Sequence, residues 1–202
     1  MADPTYKAQP GDVAVGKDDA PVTIVAYVSM TCPHCANFEK KTFPQLKERY
    51  IDTGKARFVF RPYPLDNIAA AGSMLAYKAN ESKKGFDMIH ALFAKQDDLL
   101  KAGNSVEVLK KIAKEVGFDE NFVDQTLKDQ NLLNEIQAGR KAAASVLQNM
   151  VGYVSVPAFS IRGEIYKGDM TIENWEKAIQ RATALEKKAA SSQVKGAVSF
   201  TA

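Results

Sequence analysis

Strand-type runs occupy only the two ends of this chain. Val22–Val28 is a nearly continuous apolar run rich in β-branched residues, bounded upstream by Asp18, Asp19 and Pro21. Such a run reads as a central strand buried on both faces. Ala56–Phe60 (ARFVF) reads as a second strand, and strand signals then vanish from Asn67 to Met150. They return at Ala158–Ile161 and Glu164–Tyr166, with Arg162-Gly163 between them as a hairpin turn. The strand signals are thus divided by the long strandless stretch 67–150.

The intervening segments read as helices. FEKKTFPQLKERY, between the first two strands, carries Phe38, Phe43 and Leu46 as its apolar positions, with Pro44 expected to bend it. Across that stretch, helices are expected at Ile68–Asn80, Phe86–Leu100, Ser105–Val116, Glu120–Lys128 and Leu132–Met150. Asn104 with Glu107 resembles a capping box, and Gly117 supplies a terminator. A last helix runs from Ile172 to about Lys188, followed by a small, polar tail. The order is β-α-β, a helical block, then β-β-α.

The chain has 202 residues, of which 46% are hydrophobic and 25% charged, and a net charge of +3. These are values for a soluble globular protein. Basic residues are mixed with acidic ones and form no stripe, which argues against nucleic acid as a partner. The longest apolar run, PVTIVAYVSM, is too short to span a bilayer. The N-terminus shows no charged segment followed by an apolar stretch, so no export signal is visible. An Ala-Asp pair after the first Met also fits a mature exported chain.

Both cysteines fall within Cys32-Pro33-His34-Cys35, directly after the first strand, together with one of the two histidines. Three readings compete: an inert buried pair, part of a metal site, or a reactive dithiol. Beyond the motif only His90 remains as a soft ligand, so no metal is expected. His90 itself reads as a helix-surface or packing residue. Cysteines at i and i+3 on a helix share one face, about 5–6 Å apart between Cβ atoms, close enough to form and break a disulfide. Pro33 suits the first helical position, so the N–H groups and positive end of the helix dipole face Cys32 and favour its thiolate. Cys32 is therefore the expected nucleophile and Cys35 the resolving thiol, with His34 adding a donor beside the first sulfur.

Stabilising a thiolate stabilises only the reduced form, which makes the disulfide a stronger oxidant. A fall of the Cys32 pKa from ~8.5 to ~4 would favour the reduced form by roughly 4 kcal/mol at pH 7, about 90 mV. A fall only to ~7 would give a few tenths of a kcal/mol. Val156-Pro157, in GYVSVPAFSIRG, reads either as a proline at a strand entrance or as a cis peptide bond. In the second case the Val156 backbone is left to hold an extended substrate chain.

CPHC after the first core strand, the helical block, and VPAF before a hairpin resemble the thioredoxin superfamily, within it the bacterial disulfide-bond-forming DsbA branch. The resemblance covers roughly residues 12–185. It implies an α/β, thioredoxin-like fold with an inserted helical domain: residues 12–66 and 151–188 in the thioredoxin-like domain, 67–150 in the insertion, 189–202 as tail. It also implies a periplasmic thiol oxidase whose disulfide passes to reduced exported proteins and is renewed by a quinone-linked, DsbB-like membrane protein. No cofactor beyond the Cys32–Cys35 disulfide is implied, and the chain is expected to be a monomer. Cys32, Pro33, His34 and Cys35 carry over as the redox site, and Val156 and Pro157 as the substrate-binding pair. Two positions depart from the pattern. Ala26 stands where well-studied members carry an acidic residue, and Val156 where Thr is frequent. A reductase or isomerase of the same fold, and a peptide-binding chaperone with an incidental dithiol, are the rival readings.

Overall fold

The computed structural model describes residue 3, residues 5–168 and residues 170–198. Its five-stranded sheet has the order β1-β3-β2-β4-β5. The strands are β1 (Val13–Val15), β2 (Thr23–Val28), β3 (Arg57–Pro62), β4 (Ala158–Ile161) and β5 (Glu164–Lys167). As its composition predicts, β2 is central and buried at every position. It pairs in parallel with β3 and antiparallel with β4. The β4–β5 hairpin turns on Arg162 and Gly163, both at positive φ (49° and 84°). Such a turn matches the twist of the strands it joins.

Between β2 and β3 the expected single bent helix is broken. Helix α1 (Pro33–Lys41) stops at Thr42, α2 (Phe43–Leu46) follows, and a π-helical turn completes Lys47–Ile51. The cause is Pro44, which has no N–H to continue the ladder and so serves as an early position of a new helix. The Gln45 side chain donates to the stranded Lys41 carbonyl at 3.1 Å.

The insertion holds α3 (Asn67–Asn80), α4 (Gly85–Ala94), α5 (Gln96–Lys101), α6 (Ser105–Val116), α7 (Glu120–Leu127) and α8 (Gln130–Val151). One expected helix, Phe86–Leu100, is two, divided at Lys95 (φ −106°, ψ 17°). Asn104 caps α6 by accepting from the Val106 N–H, and Gly117 ends it at φ 98°. The expected tail is also revised: α9 runs from Ile172 to Val198, because Ala, Gln and Lys in AASSQVKGAV favour helix. Residues 199–202 lie outside the described residues.

An aromatic cluster seats α1 on the sheet. Phe38 of α1 lies 4.8 Å (ring centroids) from Phe159 of β4 and 5.9 Å from Phe58 of β3. Trp175 of α9 meets Phe159 edge-on at 4.7 Å. With both faces of β2 covered, the loop at its C-terminal end is held between the sheet and the helical insertion.

Candidate active site

That loop carries the dithiol. Cys32 is the N-cap of α1 (φ −82°, ψ 119°), and Pro33 follows within its first turn. Cys35, one turn in, is fully buried, whereas Cys32 keeps 5% of its surface. Pro33 and His34 are exposed. Both thiols are reduced in this structure. The accessible edge therefore belongs to Cys32, the sulfur an incoming thiolate can reach.

The two thiols are driven apart electrostatically. The Cys32 pKa is pulled down to about 6, chiefly by hydrogen bonding from the Cys35 side chain. Burial opposes this, and the backbone N–H groups of Cys35 and His34 add to it. The His34 charge is the smallest of these influences, as expected of an imidazole in solvent. His34 thus acts on Cys32 more through its main chain than its ring. Cys35 is pushed up, first by burial and then by the neighbouring Cys32 sulfur. One contact works against the Cys32 thiolate: the thiol donates to the Val156 carbonyl at 3.5 Å, an acceptor that favours the protonated form. The Val156–Pro157 peptide bond is cis. Val156 and the dithiol, far apart in sequence, are therefore brought into contact.

At pH 7 a thiol moved from 9.0 to about 6 favours the reduced form by about 1.4 kcal/mol, or about 30 mV. This is an upper figure, since water at the exposed edge of the sulfur screens the interaction. It lies between the two cases set out from the sequence.

Several residues without a sequence motif support the loop. Thr31 donates to Asp66 Oδ2 at 2.6 Å and lies 3.2 Å from the Ser29 hydroxyl. The other Asp66 oxygen caps α3 by accepting from Ala69 N–H at 2.8 Å. The Ser29 hydroxyl in turn accepts from Leu65 N–H at 3.3 Å. Gln96, buried at the start of α5, donates to the carbonyls of Met30 (2.8 Å) and Cys32 (3.0 Å). An Asp just before an apolar helical run is a capping signal by which Asp66 could have been found. For Gln96 the available signal was a polar residue on an otherwise apolar helical face: Met88, Ile89, Leu92, Phe93, Gln96 and Leu99 are all buried.

His90, read as a helix-surface or packing residue, keeps 63% of its side chain exposed. Its Nδ1 lies 2.6 Å from Oε1 of Glu39, a buried carboxylate on α1. Ala26 is fully buried and pairs in register with Phe60 and Phe159, so no carboxylate occupies that point of the core.

Residues 8–181 match the sequence model of the family described as Thioredoxin. The chain belongs to the thioredoxin family. A Rickettsia conorii protein provisionally named as a protein-disulfide oxidoreductase is 26% identical over 191 residues, spanning 94% of this chain and 67% of that protein. Disulfide bond formation protein D of Bacillus subtilis is 29% identical over 184 residues, spanning 88% of this chain and 78% of that one. Among solved structures, a double variant of Wolbachia pipientis alpha-DsbA1 superposes with a TM-score of 0.78 at 24% identity, covering 92% of this chain and 97% of that one. The fold is therefore the thioredoxin-like α/β fold of DsbA proteins. Family, fold and the polarised cysteine pair together make this chain a thiol–disulfide oxidoreductase.

Proposed function

We propose that this thioredoxin-family protein is a thiol oxidase that donates the Cys32–Cys35 disulfide to reduced, exported proteins in the periplasm. The opposed shifts of the two thiols carry this reading. A substrate thiolate attacks Cys32 Sγ, the S–S bond breaks, and its electron pair leaves on Cys35 Sγ, which takes up a proton. A second substrate thiolate then attacks the substrate sulfur of the mixed disulfide and expels Cys32 as a thiolate. The substrate is oxidised by two electrons and the enzyme reduced by two. A thiol of low pKa is a good leaving group, so this second step favours release of oxidised substrate. Burial of Cys35 keeps it protonated and slows its competing attack on the mixed disulfide.

Val156 and Pro157 flank the Cys32 edge and serve as the backbone seat for an extended substrate. The disulfide is the only redox group the cycle needs. A quinone-linked, DsbB-like membrane protein restores it, and the enzyme acts as a monomer. No described helix is long and apolar enough to cross a membrane.

The test is the equilibrium potential of the Cys32–Cys35 couple against glutathione. A value well above about −270 mV, the region of cytosolic thioredoxin, supports donation; a value at or below it reverses the direction.

A further inference from the structure

We infer that Gln96 is a positioning residue for the nucleophile, through which the helical insertion sets the thiolate character of Cys32. The inference rests on the reading of Cys32 as the exchanging thiol. Gln96 is buried, and its Nε2 donates two hydrogen bonds to the active-site loop, at 2.8 Å to Met30 and 3.0 Å to Cys32. Its place in the chain explains its reach. The break at Lys95 restarts the helix, so Gln96 opens α5 beside the loop rather than continuing α4.

The Cys32 carbonyl already accepts the first helical bond of α1, from Ala36 N–H at 3.1 Å. Gln96 fills its second acceptor position. Two effects on the sulfur follow. The amide donors offset the negative ends of two carbonyl dipoles beside the thiolate. They also hold Cys32 in the extended N-cap conformation that presents the N–H groups of His34 and Cys35 to its sulfur. Both effects lower the Cys32 pKa, and both originate in the insertion. A thioredoxin-like sheet and α1 without that insertion would lack them.

The experiment is a thiolate absorbance titration of the reduced protein and three variants, with thermal melting alongside. Gln96→Met keeps the length and removes both donors; the Cys32 midpoint should rise by about one pH unit, an almost tenfold loss of thiolate at pH 5. Gln96→Glu keeps the shape and turns an oxygen towards the two carbonyls; its midpoint should rise at least as far. Val123→Ala removes buried methyl groups from α7, away from the loop, and should lower the melting temperature with the midpoint unchanged. A wild-type midpoint in both Gln96 variants overturns the inference, as does an equal rise in Val123→Ala, which would trace the effect to general loosening. A wild-type midpoint near an ordinary thiol would instead overturn the assignment of Cys32 itself.

Discussion

The folded state should hold the Cys32 thiolate more tightly than the unfolded chain, and this can be weighed by changing pH across its titration. The folded pKa is depressed from 9.0 to about 6. Its stabilising contribution is therefore complete above the unfolded value and disappears as pH falls through the folded one. The reduced protein should gain about 2.7 kcal/mol from this group at pH 8, about 1.4 at pH 7 and about 0.1 at pH 5. Screening at the exposed edge lowers all three, and the Val156 carbonyl acts in the same direction. Urea unfolding of the reduced protein and of Cys32→Ser, each in excess phosphine reductant, isolates the term as a difference between two curves. Carboxylates and histidines common to both proteins cancel. The difference should shrink by up to about 2.6 kcal/mol from pH 8 to pH 5. A difference that stays flat, or grows as pH falls, would refute the claim that the fold stabilises this thiolate.

In Cys35→Ser the Cys32 thiolate should still attack a disulfide-bonded substrate, expelling one substrate thiolate, and with no resolving thiol the mixed disulfide should accumulate, visible as slower bands on non-reducing gels. Thr31→Val breaks the 2.6 Å bond to Asp66 and the contact with Ser29. It should cost about 1.5–3 kcal/mol in urea unfolding, since one partner is charged. Ala26→Glu inserts a carboxylate into a fully buried site between Phe60 and Phe159. It should raise the Cys32 midpoint by like-charge repulsion and lower stability by at least about 1–3 kcal/mol from overpacking alone, both read on the same sample.

Features whose cause is local were legible in the sequence. The run at Val22–Val28 is apolar at nearly every position because both its faces are covered, and Pro33 announces a helix start beside Cys32. The Gly117 terminator works the same way. What escaped notice depends on distant partners. Strand β1 is three residues long and lies at the sheet edge, too short for any periodicity. The break at Lys95 has no proline or glycine to mark it, and the last helix outlasts its amphipathic stretch. Within the site, the two cysteines and their spacing could be read directly. The Thr31–Asp66 bond joins residues 35 apart, and the Gln96 bonds join residues 64 and 66 apart. Nothing in a linear pattern pairs such residues.

Those separations bear on the chain's own maturation. The reactive sulfur is flanked by Val156, and its carbonyl is gripped by Gln96; both lie far downstream of Cys32. While the chain is still being synthesised, Cys32 has neither neighbour nor a formed helix behind it. In that state it is an ordinary thiol, mostly protonated at neutral pH and a poor leaving group. The thiolate character of Cys32 therefore develops only once α1 has formed and α5 has docked on its loop, while the later docking of Val156 opposes it.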